Sequence, residues 1–254
     1  MFASVASGGL VGFTLGLIGG GGSILATPLL IYLVGMREPH VAIGTGALAV
    51  SVNAYANLIG HAVKGHVRWK CAAVFALAGL AGALAGSTLG KAVDGQALLF
   101  AFGLVMVAVG AQMLRPRRDG MVERSPDRGT CLRTAALALL AGGASGFFGI
   151  GGGFLIVPAL VAATGMPVIN AIGSSLLAVG TFGLATALNY GWSGLVDWRV
   201  AAEFIAGGIV GGVFGMMLAT RLSAYKRALN LVFACVVFAV AAYMLHRSGT
   251  ALFG

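Results

Sequence analysis

Residues 12–36 read GFTLGLIGGGGSILATPLLIYLVGM, and residues 142–166 read GGASGFFGIGGGFLIVPALVAATGM; the two stretches align without a gap. Gly16 meets Gly146, Gly19 meets Gly149, Pro28 meets Pro158, and Gly35-Met36 meets Gly165-Met166. The correspondence continues downstream. Ala42-Ile43-Gly44-Thr45 matches Ala171-Ile172-Gly173-Ser174, and Gly65-His66-Val67-Arg68-Trp69 matches Gly194-Leu195-Val196-Asp197-Trp198. The chain is therefore expected to consist of two homologous halves. Each half opens with an apolar run interrupted by glycine. Residues 8–34, as one straight helix, would be roughly 40 Å long, against a hydrocarbon core of about 30 Å. Split at Gly19–Gly22, each limb has about 11 residues and covers roughly 16 Å, half the bilayer. The spacing predicts a Gly-broken helix or a re-entrant hairpin whose tip reaches the midplane. Such non-helical backbone is tolerated only where it is buried in protein or lines a cavity.

Working outward, apolar segments lie at about 8–34, 41–63, 71–90, 97–114, 134–164, 171–191, 200–219 and 228–245. Of 254 residues, 59% are hydrophobic and 9% charged, where a soluble domain carries roughly 25% charged residues. The mean hydropathy of +0.97 agrees. These values predict an all-α membrane protein, a polytopic helical bundle in a bacterial inner (plasma) membrane. Glycine contributes 42 residues, as expected where helix backbones approach closely in lipid. The formal charge of +9 does not indicate nucleic acid. The basic residues flank apolar segments and form no stripe with interleaved aromatics. Cys71, Cys131 and Cys235 are scattered, so neither a disulfide framework nor a metal site is expected. The N-terminus lacks the basic region of a cleavable signal.

Residues 115–133 hold Arg115, Arg117, Arg118, Asp119, Glu123, Arg124, Asp127, Arg128 and Arg133. They read as a cytoplasmic linker between a first transmembrane repeat, 1–114, and a second, 134–254. Lys and Arg divide 11 to 5 between the two sides if all eight segments cross, and 12 to 4 if the first segment of each half re-enters. The equivalent loops discriminate better. Loop 64–70 carries Lys64, Arg68 and Lys70, but its counterpart carries only Arg199; Lys91 stands opposite Arg221, Lys226 and Arg227. Opposite bias in homologous loops favours inverted repeats over parallel ones.

The glycine runs Gly19, Gly20, Gly21, Gly22 and Gly149, Gly151, Gly152, Gly153 are the strongest candidates for a binding site, with Ser23 beside the first. A helix start offers unpaired N–H groups and partial positive charge, and glycine lets backbone meet a ligand. Close helix packing is the competing explanation. No Lys-Ser/Thr follows the glycines, so they are not a P-loop. Asn53, Asn57 and His61 share one helix face at i, i+4, i+8, opposite Phe182, Thr186 and Tyr190 in the second half. They would line a pathway or join helices. Thr45, Ser174 and Ser175 place hydroxyls near helix starts, as caps or as donors to an oxyanion. Carboxylates are few, and only Glu203 falls within an apolar segment, near its start; that scarcity favours an anionic over a cationic substrate. Lys91, Trp69 and Trp198 fit snorkelling and aromatic anchoring.

The Gly-x-Gly-Gly-Gly…Pro signature (Gly149 to Pro158, with a looser copy from Gly19 to Pro28), the paired Ala-Ile-Gly-Thr/Ser and the paired Gly-x-Val-x-Trp resemble the TauE/SafE family of sulfite exporters. The resemblance covers nearly the whole chain. It implies a transporter of sulfite, sulfoacetate or other sulfur-containing or organic anions, and it points to Gly19–Gly22, Pro28, Gly149, Gly151–Gly153 and Pro158. The expected function is a secondary carrier for a small anion, working by alternating access of two repeats; a passive anion channel is the alternative. No nucleophile–base pair or metal constellation suggests an enzyme. The partners expected are a small anionic substrate and the lipid bilayer, without nucleic acid or cofactor. A coupling ion, H+ or Na+, and the oligomeric state stay open.

Overall fold

A computed structural model describes residues 1–114, 128–149, 153–221 and 226–253. Within them the chain is helical, with no strand. The order is α1 (Phe2–Ile18), a 3-10 segment (Gly19–Leu25), α2 (Ala26–Tyr32), α3 (Pro39–Val63), α4 (Trp69–Ala92), α5 (Gly95–Leu114), α6 (Arg128–Phe148), α7 (Gly153–Thr164), α8 (Val168–Trp192), α9 (Trp198–Arg221) and α10 (Lys226–Phe253). Helices α3, α4, α5, α8, α9 and α10 are long and apolar enough to cross a bilayer. Their outer faces, and that of α6, expose side chains such as Leu77 (70%), Leu140 (73%) and Phe214 (63%). That much exposed hydrocarbon suits lipid and not water. The chain is a multi-pass membrane protein.

Both expected breaks occur. Helix α1 ends at Gly19 with φ +78°, and α6 is followed by Gly149 with φ +66°. Positive φ costs a side-chain-bearing residue about 1–2 kcal/mol and costs glycine almost nothing. After Gly19 the chain doubles back: a Cβ on Gly22 would lie 2.4 Å from the Leu15 nitrogen. The outbound limb is longer than the glycine spacing suggested. Helix α1 starts at Phe2 and has 17 residues, roughly 25 Å at 1.5 Å per residue. Helix α1 extends beyond the segment start read at residue 8, with Phe2–Ser7 continuing the helix. In the second half, α6 begins at Arg128, inside the stretch read as linker; residues 115–127 lie outside the described residues.

Glycine seams decide which helices pair. Helix α1 packs on α9: a Cβ on Gly12 would lie 1.9 Å from the Gly208 carbonyl oxygen, and one on Gly16 would lie 2.4 Å from that of Gly212. Helix α4 packs likewise on α6, with Gly86 against the Gly143 carbonyl and Gly90 against that of Phe147. Numbers rise together along both pairs, so both run parallel. Helices α3 and α8 cross antiparallel, Gly44 meeting Tyr190 and Ser51 donating to the Gly180 carbonyl at 2.7 Å. Helices α5 and α10 are also antiparallel, with Gly103 at Leu245 and Gly110 at Phe238.

Candidate functional site: two broken hairpins and a buried polar stripe

Each hairpin tip rests on a helix of the other half. A Cβ on Gly19 would lie 2.6 Å from Ile172 Cγ2, and one on Gly149 would lie 1.9 Å from Ile43 Cγ2. Gly19 donates its N–H to the Leu15 carbonyl, and Gly149 donates to the Gly146 carbonyl at 3.2 Å. The 3-10 segment then packs against α7 and α8, so the returning limbs of the two hairpins meet inside the bundle. Gly20 and Gly21 form the first turn of that segment, and Gly22 and Ser23 are buried within it. Thr14 Oγ1 donates within α1 to the Val11 carbonyl at 2.9 Å and lies 3.5 Å from the Gly22 carbonyl of the returning limb. In the second half Gly153 is buried at the start of α7, whereas Gly151 and Gly152 lie outside the described residues.

The hydroxyls at the starts of α3 and α8 have structural duties. Thr45 Oγ1 accepts the Asp197 backbone N–H at 2.9 Å, and Ser174 Oγ accepts that of Arg68 at 2.9 Å. Asp197 and Arg68 immediately precede α9 and α4. Each hydroxyl therefore serves a helix start in the opposite half. Gly44 and Gly173 make room for the Leu195 and His66 carbonyls beside these bonds. Ser175 Oγ donates to the Ile172 carbonyl at 2.8 Å. In sequence these three were capping or ligand candidates, and all are engaged within the protein.

The polar stripe on α3 is buried, with Asn53 at 0% and Asn57 and His61 at 4% exposure. It packs into the α1–α9 seam: Gly208 lies under the Asn53 amide, and Gly16 and Gly212 flank Asn57. Asn57 Nδ2 donates to the Asn53 carbonyl at 2.9 Å. Neither side-chain atom of Asn53 has a hydrogen-bond partner, and neither ring nitrogen of His61 has one. Leaving such a group unpaired costs about 1–3 kcal/mol. On α8 the corresponding Phe182 fills the matching space over Gly79, so the second half closes with an aromatic ring what the first leaves polar. Thr27, Thr186 and the Tyr190 hydroxyl are also buried and unpartnered. Thr27, one turn beyond the glycine run, was missed in the sequence because a threonine in an apolar helix commonly bonds its own backbone.

Carboxylates stay away from this region. Among the described residues Glu38 and Asp94 are exposed, Asp197 precedes α9, and Glu203 lies 3.3 Å from the N-terminal amine and 3.4 Å from Arg199 Nε. Lys91, read as snorkelling, donates instead to the Asn189 carbonyl, Asn189 Oδ1 and Ser193 Oγ. A groove of about 530 Å³ between α1 and α9 is lined by Val5, Phe13, Val210 and Phe214 among glycines, and offers nothing to a charged solute. A smaller cleft, about 170 Å³, brings Tyr32, Arg37, Gln96 and Arg247 together where the first hairpin returns.

A lipid-embedded bundle of crossing helices, two broken hairpins that meet inside it and a buried polar stripe in which Asn53 and His61 lack partners define the class: a membrane transporter. The chain belongs to the Sulfite exporter TauE/SafE family, which its residues 4–244 match. It is 61% identical to a probable membrane transporter protein of Xylella fastidiosa (strain 9a5c), over 99% of this chain and 97% of that one. It is 29% identical to a probable membrane transporter protein of Haemophilus influenzae, over 73% and 72% of the two chains. The probable membrane transporter protein YunE of Bacillus subtilis is 25% identical, over 84% and 87%. No solved structure matches the chain.

Proposed function

We propose that the protein is a secondary carrier for a small anion, a sulfite, a sulfonate or another sulfur-containing or organic anion, in a bacterial inner membrane. The observation that carries this reading is the meeting of two glycine-broken limbs inside the bundle, one of which carries the unpartnered Thr27 hydroxyl, in a protein whose α3 buries the unpartnered Asn53 amide. A helix N-terminus suits an anion, and the two glycine runs lead into α2 and α7. The Asn53 amide, Thr27 and Thr186 add neutral donors, and no described carboxylate stands by to repel it. The Arg37–Arg247 cleft fits an electrostatic entrance.

Alternating access draws support from the packing of the halves. Residues 42–45 and 171–174 differ by 129 in number, and so do Ser51 and Gly180, which touch where α3 crosses α8. Equivalent helices that meet antiparallel at equivalent residues are what a pseudo-two-fold axis in the membrane plane produces. Three apolar helices of spanning length per half give the same inversion by parity. With the hairpins re-entrant, only Arg37, Lys91, Arg199 and Arg247 fall on the side opposite residues 115–127, in keeping with a cytoplasmic linker.

The test is exchange in proteoliposomes with labelled sulfite, thiosulfate, sulfonates and carboxylates. A carrier gives counterflow: internal unlabelled anion speeds entry of label. Unitary currents without exchange would replace the carrier by a channel, and no flux of any anion would end the reading.

A further inference from the structure

The anion-carrier reading leaves one buried titratable cluster unused. His61 closes the last turn of α3, one turn beyond Asn57, and is 4% exposed. His66 follows in the connection to α4, its ring centroid 5.9 Å from that of His61. Both nitrogens of His61 and Nδ1 of His66 are buried without a partner. The backbone holds the pair in place, since His66 donates its N–H to the His61 carbonyl at 3.0 Å. The His66 carbonyl in turn lies over Gly173, at the start of α8 in the opposite half. The pair thus ends the Asn53–Asn57 stripe and touches the junction between halves.

We propose that the His61–His66 pair takes up one proton together with the anion, making this a proton-coupled carrier; the inference rests on the anion reading above. Histidine is the side chain whose ordinary value, about 6.5, allows a proton to come and go near neutrality. A ring nitrogen's lone pair accepts the proton from water on the loop side, and the same N–H bond breaks to water when the anion leaves. Nothing is oxidised or reduced. The surroundings link the two events. Lys64 lies within electrostatic reach of His61, and Arg68 and Lys70 follow in the chain. The facing part of α9 presents Gly212 and Met216, with Arg221 at the helix end. The start of α8, Val168–Ser174, and all of α1 carry no charged residue, and the described carboxylates lie elsewhere. A proton entering the pair adds positive charge where none of the described carboxylates answers it, and an arriving anion supplies that counter-charge. Each ligand then tightens the other by the same factor. In the second half the equivalent residues are Tyr190 and Leu195, which do not titrate near neutrality, so one half alone carries the device.

The probe is labelled methanesulfonate, which keeps one negative charge across the pH range used. Wild-type proteoliposomes are given a gradient of one pH unit in either direction, which for one proton per anion can drive up to about tenfold accumulation. A pH-sensitive dye inside the vesicles reports proton entry. The expected result is gradient-driven accumulation and internal acidification in the wild type. His66→Gln, outside the Asn53–Asn57–His61 stripe, should lose both while keeping counterflow within about twofold, since exchange needs no net proton, and His61→Gln should lose both. Counterflow without any response of the wild type to the gradient overturns the proton proposal and leaves the carrier intact, whether or not either variant folds. A variant that still accumulates on the gradient, or a His66→Gln that loses counterflow as well while melting like the wild type, also overturns it. A wild type without counterflow of methanesulfonate or of any other anion in the panel removes the anion reading together with this one.

Discussion

The contact between Gly149 and Ile43 gives a prediction whose two components can be separated. Gly149→Ala adds a Cβ at a residue with φ +66°, and that atom would lie 1.9 Å from Ile43 Cγ2. The backbone conformation alone costs about 1–2 kcal/mol. Carbon atoms pack comfortably at roughly 3.5–4.0 Å, so helix and hairpin must part by more than an ångström, an overpacking cost of about 1–3 kcal/mol. Together they amount to about 3 kcal/mol, or roughly 6–12 °C in melting temperature for a chain of this size. Ile43→Ala by itself leaves a cavity costing about 2–5 kcal/mol. In the double variant the methyl group goes where Cγ2 was. The structure therefore predicts that the double variant is about 1–3 kcal/mol more stable than the sum of the singles, with only the backbone cost of Gly149→Ala remaining. Thermal unfolding in detergent, scanned at one fixed rate for all four proteins, reads the cycle. Strict additivity would show that the tip of the second hairpin does not rest on Ile43, and the contact between halves would have to be drawn elsewhere.

The mirror contact is looser, 2.6 Å from Gly19 to Ile172 Cγ2, so Gly19→Ala should lower the melting temperature less than Gly149→Ala; an equal or larger drop would contradict the asymmetry. Thr45→Val and Ser174→Ala each strand a backbone N–H in the opposite half and should cost about 1–3 kcal/mol, without altering the order in which anions are preferred in counterflow. Asn53→Leu should do the reverse: it removes an unpaired buried amide, so the protein melts at the same or a higher temperature, while transport falls about tenfold or more. A stable Asn53→Leu variant with normal transport would take Asn53 out of the site. Gly12→Ala, whose Cβ would meet the Gly208 carbonyl oxygen at 1.9 Å, should cost about 1–3 kcal/mol by forcing α1 from α9; unchanged melting would dissolve the seam.

Much of this architecture is legible in the chain because membrane helices announce themselves by length and apolarity. The segments read at 41–63 and 71–90 are α3 (Pro39–Val63) and α4 (Trp69–Ala92), within two residues at each end. The breaks were legible too, because Gly19 and Gly149 adopt backbone angles that only glycine takes cheaply. The length of the first outbound limb was not. It depends on where α1 begins, and Phe2–Ser7 give no polar boundary. Partner choice was equally hidden. A small residue every fourth position says that α1 packs closely, but not that Gly208 and Gly212 of α9 receive it. The hydroxyls of Thr45 and Ser174 read correctly as capping candidates, yet the helices they serve lie 152 and 106 residues away in the chain. The Asn53–Asn57–His61 face was visible as a periodic stripe; that it lies over a glycine seam with Asn53 and His61 unpaired required the packing. His66 drew no notice as one position in a repeated motif, and only its proximity to His61 gives it meaning.

The account stands or falls on an anion held between the broken hairpins and the Asn53 stripe, and ligand-induced stabilisation of the purified protein tests that directly. An anion that binds only the folded state at about 100 times its dissociation constant adds about 2.7 kcal/mol. At least one of sulfite, thiosulfate or an alkyl sulfonate should therefore raise the melting temperature of the wild type and of Thr45→Val, and leave that of Asn53→Leu unmoved. A panel in which no anion shifts the wild type, or in which Asn53→Leu shifts as much as the wild type, would contradict the account.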